Sequence, residues 1–439
     1  MSRTLVIGTG YVGLVSGACM ADFGNRVTCY DIAQDKIDTL NRGEVSFYEP
    51  GLEDLVRRNV DAGRLSFSSD LVESVESAVA IFIAVGTPER EDGSADLDAV
   101  FSVARDIGRN LKGYKIVVQK STVPVGTTRR VGEIMREEAG PDADFDLVSN
   151  PEFLREGSAI NDFMRPNRVV LGFDGDRARE VVKEIYRPLY LNETPVLATS
   201  LETAEMVKYA SNAFLAAKIS FINEVAEFCE KVGADVQVVA RGMGMDQRIG
   251  SKFLHAGAGF GGSCFPKDTQ ALLHMGTESG VKMGLVRAAI EANERQPLRA
   301  VEKMLRLSGG SVDGLRIAVL GLSFKPNTDD VRDAAALKII EGLEKAGATV
   351  CAFDPVASKN ARLAKPDLEL ADSLFGCIEG ADGLVIATEW NEFRVLDLEK
   401  VARLMANPRV VDCRNIYRRK QMESLGFAYA SFGREQDES

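Results

Sequence analysis

The chain of 439 residues has only two histidines, His255 and His274, and a single tryptophan. A mechanism built on a histidine base therefore has few candidates. Its seven cysteines, Cys19, Cys29, Cys229, Cys264, Cys351, Cys377 and Cys413, contain no C-x-x-C pair. Scattered and odd in number, they speak against a disulfide framework or a zinc site and fit a reducing compartment. A cytoplasmic protein without a metal is expected. No apolar run is long enough to span a bilayer, and no signal-peptide pattern precedes the first apolar strand. An excess of positive charge is missing too, since the net charge is −12. Neither nucleic acid nor an anionic membrane is expected as a partner, although a local basic pocket is compatible with that balance. The tail from Arg434 to Ser439 is polar and is expected to be disordered. The remaining composition is that of an ordinary globular protein, and the length predicts roughly two or three domains.

The N-terminal segment carries a dinucleotide fingerprint. Leu5-Val6-Ile7 reads as a strand, Gly8-Thr9-Gly10-Tyr11-Val12-Gly13 as a turn, Leu14 to Phe23 as a helix and Val27 to Tyr30 as a second strand. Such glycines permit a tight turn, close approach of a pyrophosphate and helix–strand packing, with the helix N-terminus facing the phosphates. Asp31, 18 residues after Gly13, is placed to accept ribose hydroxyls and to repel a 2′-phosphate. NAD is favoured over NADP, with Lys36 nearby working against that preference. Further parallel-sheet strands are expected at Ala80–Val85, Lys115–Gln119 and Arg168–Gly172. The loops after the first two, Gly86-Thr87-Pro88 and Ser121 to Thr127, lie where ligands bind in open α/β sheets. Each is equally well explained as a turn-forming segment.

From Leu201 to Val232 there is neither glycine nor proline, so one helix of roughly 45–50 Å is expected. Lys208 and Asn212, four apart, share a face of it. The third region echoes the first: Arg316–Gly321, a helix at Ala336–Lys345, Thr349–Asp354, Leu384–Thr388 and Val410–Asp412. Its first loop, Leu322 to Asn327, lacks the full glycine fingerprint. Lys325 and Arg414, near strand ends, are candidates for a phosphorylated ligand, though a surface role suits either one alone. The expected architecture is α/β: two Rossmann-like doubly wound parallel-sheet domains joined by a long central helix and an all-α middle domain. The boundaries are 1–198, 199–300 and 312–432.

Gly259-Phe260-Gly261-Gly262-Ser263-Cys264-Phe265-Pro266-Lys267-Asp268 places one cysteine at the mouth of a helix. Pro266 suits the first helical position, and helix-terminal N–H groups favour a thiolate at Cys264. Gly259, Gly261 and Gly262 would let backbone approach a ligand. The plainer reading of Cys264 is a small buried hydrophobe. An NAD domain, a second nucleotide domain and a thiol between them together suggest oxidation of an alcohol through a covalent thioester.

These segments resemble the UDP-glucose/GDP-mannose dehydrogenase family. The resemblance runs through Gly8–Gly13, Ser121–Thr127, Asn150-Pro151-Glu152-Phe153-Leu154-Arg155-Glu156-Gly157, Lys208–Asn212, Gly259–Asp268 and Phe324–Arg332. It covers essentially the whole chain apart from the tail. It implies oxidation of UDP-glucose to UDP-glucuronate with two NAD, through a cysteine thiohemiacetal and thioester. By the same resemblance Cys264 is the nucleophile, Lys208 stabilises the oxyanion and Asn212 positions that oxygen or its water. Asp268, with Thr122 and a water, assists proton transfer, and Glu152 serves thioester hydrolysis. Phe153, Leu154, Glu156, Phe253, Gly261, Phe324, Lys325 and Arg414 fall among substrate contacts, together with Lys208 and Asn212. Arg248 matches a substrate-binding arginine that, in relatives, reaches into the neighbouring subunit's sugar site, which implies a homodimer or higher homo-oligomer. NAD contacts are implied for Gly8, Gly10, Tyr11, Val12, Gly13, Asp31, Lys36, Thr87, Ser121, Thr122, Glu156, Lys267 and Arg332.

His255 departs from the lysine of some relatives. Phe265 and the Gln247–Gly250 approach resemble the UDP-glucose branch, whereas the GDP-mannose branch more often has leucine at position 265. Two other readings compete. A decarboxylating 3-hydroxyacid dehydrogenase would need neither the cysteine nor the second nucleotide domain. A noncatalytic nucleotide-sugar or NAD-binding protein would not need Cys264, Lys208 and Asp268 together.

Overall fold

The computed structural model describes residues 2–190 and 193–434, with nothing described of the Tyr190 side chain. The expected disorder of the tail beyond Arg434 lies outside the described residues. The chain divides into two compact units, Met1–Ser211 and Asn212–Ser439. Residues 212–300, expected as part of a separate middle domain, group with the C-terminal sheet.

Among the described residues, the first unit is built on an eight-stranded sheet: β1 (Arg3–Ile7), β2 (Arg26–Tyr30), β3 (Leu65–Ser68), β4 (Ala80–Ile83), β5 (Lys115–Gln119), β6 (Phe145–Ser149), β7 (Val169–Phe173) and β8 (Val196–Thr199). The order is β3-β2-β1-β4-β5-β6-β7-β8, so the direction of winding reverses between β1 and β4. Loops at such a reversal form the ligand crevice of this architecture. Strands β4, β5 and β6 are buried along their whole length, because helices cover both faces of the sheet. Alternate residues feed the two cores. Val6, Phe82, Val118 and Val148 pack on one side, while Leu5, Ile7, Ile81, Ile83 and Val117 pack on the other.

One expectation is corrected. The strand at Arg168–Gly172 was placed in a parallel sheet, but β7 runs antiparallel to β6, with Val148 opposite Phe173 and Ser149 opposite Gly172. The intervening segment stays at the carboxyl edge of the sheet and does not cross back. An apolar run such as Val169-Val170-Leu171 carries no mark of direction.

Among the described residues, the second unit carries a six-stranded, all-parallel sheet of β9 (Arg316–Leu320), β10 (Thr349–Phe353), β11 (Glu369–Leu370), β12 (Gly383–Ile386), β13 (Arg409–Asp412) and β14 (Ala428–Ser431). Its order, β11-β10-β9-β12-β13-β14, repeats the reversal of the first sheet between β9 and β12. The helices Val236–Gly244, Phe265–Glu278 and Gly284–Leu307 precede it. The helix expected from the lack of glycine and proline is Leu201–Val232. Among the described residues, no helix is long and apolar enough to cross a membrane.

Candidate functional site

The fingerprint turn follows β1. Gly8 has φ 101°, and a Cβ there would lie 2.7 Å from the Ala84 carbonyl oxygen. The helix starts at Tyr11, inside the fingerprint and three residues earlier than expected, and has no side-chain cap. A Cβ at Gly10 or Gly86 would meet nothing within 4 Å. The turn therefore leaves open space beside an uncapped helix N-terminus, which fits a dinucleotide pyrophosphate. Asp31 ends β2. Its Oδ2 accepts hydrogen bonds from the Thr9 backbone N–H at 2.9 Å and the Thr9 hydroxyl at 2.8 Å, and its Oδ1 accepts from the Ala33 N–H at 3.0 Å. Burial alone would raise this carboxyl, but those bonds and Lys36, 3.9 Å away, hold it below the usual carboxylate range. The donor role of Thr9 is not readable from the fingerprint.

Two loops interlock at the next strand ends. The Thr87 hydroxyl donates to the Thr122 carbonyl at 2.9 Å, and the Ser121 hydroxyl donates to the Val85 carbonyl at 2.7 Å. Buried Glu205 secures the same loop by accepting from the Gly126 and Thr128 N–H groups and the Thr128 hydroxyl, at 2.6–2.8 Å. Sequence reasoning missed this residue.

After β6, Glu152 and Lys208 form a buried ion pair of 2.9 Å, with side chains 5% and 4% exposed. The other Glu152 oxygen accepts the Leu154 N–H at 2.5 Å. The Phe153 ring sits under Arg168, 3.5 Å from its centroid, with the Lys208 Nζ at 5.3 Å. The end of this segment is held by Glu49, another residue that sequence reasoning missed. Glu49 accepts from the Gly157 N–H at 2.6 Å, from the Ala159 N–H at 2.8 Å, and from the Tyr11 hydroxyl. Burial, then the Glu49 hydrogen bond and the charges of Glu49 and Glu156, push the Tyr11 hydroxyl far above its ordinary pKa.

In the second unit Cys264 is the N-cap of the Phe265–Glu278 helix. Phe265 is the first helical residue, so Pro266 takes the second position and not the expected first. Cys264 is partly exposed, whereas the other six cysteines are buried. Asp268 is 1% exposed. It accepts from the Asn212 amide at 2.6 Å and the Lys267 ammonium at 2.7 Å. Lys267, expected at the cofactor, is thus bound to the carboxylate beside it.

The glycines before Cys264 differ in role from the expectation. A Cβ would lie 2.6 Å from Asn293 Oδ1 at Gly259, 2.2 Å from the Asp333 carbonyl oxygen at Gly261, and 2.7 Å from the Phe324 ring at Gly262. The space their missing side chains leave is filled by protein. The Gly262 N–H also donates to the Arg332 carbonyl at 2.8 Å, which seats the cysteine loop on the loop after β9.

Arg414 draws three strand ends together. Its Nε donates to the Ala387 carbonyl at 2.7 Å, its guanidinium to the Phe324 carbonyl at 3.2 Å, and it pairs with Glu389 at 3.1 Å. The Lys325 Nζ lies 5.1 Å from the Phe324 ring centroid, and Arg332 pairs with Asp330 at 2.8 Å. Asp354, the counterpart of Asp31, is differently committed. It accepts from Leu322, Ser323, Val356 and Ala357 N–H groups, the Ser323 hydroxyl and the Trp390 indole. Six donors exceed the roughly four acceptor sites of a carboxylate, so this acid is spent on donors from the segments after β9, β10 and β12. Phe253 stacks on Phe265 with centroids 6.0 Å apart. Arg248 stands apart from these clusters, 89% exposed at its side chain and paired with Asp246 at 2.6 Å.

Known proteins of similar sequence and structure match along this whole arrangement. The NAD binding domain of the UDP-glucose/GDP-mannose dehydrogenase family matches residues 2–190, its central domain residues 202–295 and its UDP binding domain residues 318–419. A UDP-glucose 6-dehydrogenase of Rhizobium meliloti is 53% identical, over 98% of this chain and 99% of its own. The UDP-glucose 6-dehydrogenase TuaD of Bacillus subtilis is 49% identical, over 99% and 94%. The solved UDP-glucose dehydrogenase of Pyrobaculum islandicum superposes with a TM-score of 0.90 at 41% identity, covering 96% of each chain. Fingerprint, paired sheets, cysteine loop and family match agree from end to end, and the chain belongs to the UDP-glucose/GDP-mannose dehydrogenase family.

Proposed function

We propose that this protein oxidises UDP-glucose to UDP-glucuronate, reducing two NAD per sugar, with Cys264 as the covalent nucleophile. The observation that carries the reading is Cys264 itself, partly exposed at the N-cap position of a helix while the six other cysteines are buried. The relatives named UDP-glucose 6-dehydrogenase support the choice of sugar. Bound NAD supplies the hydride acceptor for both oxidations. The first converts the primary alcohol of the sugar to an aldehyde. The Cys264 thiolate adds to that carbonyl carbon to give a thiohemiacetal, and loss of the second hydride leaves a thioester. Water then adds to the thioester, its proton leaves to a carboxylate, the Cys264 sulfur departs and the acid is formed.

The roles of the chain's own groups follow from their settings. Lys208, an ammonium held in a dry environment, stabilises negative charge on the reacting oxygen. Glu152 accepts the proton of the attacking water. Asp268 orients the Asn212 amide and, with Thr122, receives the proton of the alcohol through water. Lys325 and Arg414 bind the diphosphate end of the substrate. The negative charge of Asp31 at the end of β2 supports NAD over NADP.

We also infer a homodimer. Phe214, Phe221 and Phe228 recur every seven residues on the Leu201–Val232 helix and are 66%, 51% and 66% exposed. An apolar stripe of two-turn period is a surface for a second copy. Cysteines without a pairing pattern fit work in the cytoplasm.

The deciding experiment is the ratio of NADH formed to UDP-glucose consumed, with NAD in excess. Two supports the four-electron reaction. One would mean a simple alcohol oxidation, and none would move the search to GDP-mannose and other nucleotide sugars.

A further inference from the structure

Lys120 follows β5 and is 5% exposed, yet the reaction above gives it no task. Its Nζ donates to the Asn150 side-chain oxygen at 3.2 Å. The same oxygen accepts the Tyr186 hydroxyl at 2.6 Å, while the Asn150 amide donates to the Val170 carbonyl at 3.0 Å and the Asn150 N–H to the Gln119 carbonyl at 2.9 Å. The ammonium also lies 5.9 Å from the Phe163 ring centroid. Asn150, two residues before Glu152, is therefore fixed on every side, with Lys120 as one of its four ties.

The charges around Lys120 are those of the Glu152–Lys208 pair. Glu152 favours the ammonium and Lys208 opposes it, while burial, the largest influence, brings the Lys120 pKa down to about 8. Two other charged groups, Asp162 and Arg168, line the cavity of about 40 Å³ beside it. Asp162 is taken by Arg155 at 2.6 Å, and Arg168 by the Phe153 ring. A buried ammonium whose only hydrogen-bonded side-chain acceptor among the described residues is a neutral amide is costly, and an apolar side chain of the same length would cost less. Holding Asn150 alone does not call for a charge. Of the charges around it, Glu152 is the one that favours the ammonium.

We propose that Lys120 is a positioning residue for Glu152: it ties the segment through Asn150 and sets a second buried positive charge against the Glu152 carboxylate. The trio of Lys120, Glu152 and Lys208 then holds two ammoniums to one carboxylate, and the added positive charge favours an oxyanion beside Lys208. When Lys120 loses its proton the trio becomes neutral, so turnover falls as pH rises through about 8. The inference rests on the thioester chemistry proposed above.

The test compares wild type, Lys120→Met and Lys120→Arg with UDP-glucose across pH 6.5–9.5. Arginine keeps its charge throughout this range. Lys120→Met is expected to lose about tenfold or more in kcat at pH 7, with KM changed by less than about threefold, and to lack the alkaline fall. In Lys120→Arg the fall moves upward by roughly one pH unit or more. A Lys120→Met enzyme with kcat within about twofold of wild type, or one that keeps the same alkaline fall, overturns the proposal. If Lys120→Met does not fold, the Lys120→Arg profile decides, and an unmoved alkaline fall overturns it. Should wild type make no NADH from UDP-glucose, the substrate reading fails separately. Amide exchange of residues 150–157 without substrate then decides for Lys120: faster exchange in Lys120→Met with recovery in Lys120→Arg supports the tie, and equal rates in all three overturn it.

Discussion

The Tyr11 hydroxyl donates a hydrogen bond to the Glu49 carboxylate, and that carboxylate also holds the backbone N–H groups of Gly157 and Ala159. One buried acid thus joins the first helical residue of the dinucleotide turn to the end of the Glu152 segment. Glu49→Ala leaves buried donors unmet and is expected to cost about 1–3 kcal/mol of stability. It should raise KM for NAD and for UDP-glucose together. Thermal unfolding and initial rates in both substrates check this; a rise in only one KM would show that the two segments are not coupled through Glu49.

Cys264→Ala should abolish formation of the acid while leaving the fold intact, since the residue is partly exposed. Product analysis after long incubation is the measurement. Full turnover by the variant would end the covalent mechanism.

Asp31 is held ionised by Thr9 and Ala33. Asp31→Asn removes the charge that repels a 2′-phosphate and weakens the Thr9 contacts. Its kcat/KM with NAD should fall about 10-fold or more, and its preference for NAD over NADP should narrow. An unchanged ratio of the two efficiencies would remove Asp31 from cofactor choice.

Gly261→Ala would set a methyl group 2.2 Å from the Asp333 carbonyl oxygen. Backbone must move, and a loss of about 1–3 kcal/mol is expected, with slower turnover because the loop carries Cys264. Wild-type unfolding temperature and kcat in this variant would contradict the close packing described.

Lys120 also links stability to pH. Its pKa in the folded chain is about 8, below the roughly 10.4 of an unfolded lysine. Below pH 8 both states bind the proton and the burial penalty is felt in full. Between pH 8 and about 10.4 the unfolded chain binds more protons, so this group's contribution to stability rises with pH, by up to about 3 kcal/mol. Lys120→Met lacks that rise. Denaturant unfolding of both proteins at pH 7 and pH 10 should show wild type gaining on the variant, and a constant difference would contradict a depressed Lys120.

Local patterns in the sequence were the readable ones. The β1–turn–helix–β2 run declares itself through glycines at fixed spacing, and the Leu201–Val232 helix through the absence of both breakers. The pairing of Lys208 with Glu152 was not visible from spacing, since 56 positions separate them. Glu49, Glu205 and Lys120 were missed for the same reason, because each acts on chain that is distant in sequence. The direction of β7 was misjudged, because an apolar strand looks alike in either orientation. Asp354 matches Asp31 in position, yet only the structure shows six donors consuming it. The glycines before Cys264 were read as room for a ligand, when the space belongs to Asn293, Asp333 and Phe324.

The antiparallel step from β6 to β7 has an evolutionary reading. Residues 150–168 leave the sheet and return to it at one edge, so the segment behaves as a cassette with both ends anchored on the same side. Its length can change without reversing a strand or altering the winding of the dinucleotide half, while Asn150, Glu152 and the Glu49 contacts at Gly157 and Ala159 keep their places. Variation between those fixed points offers a route to new sugar preferences that leaves the strand order of the cofactor half as it is.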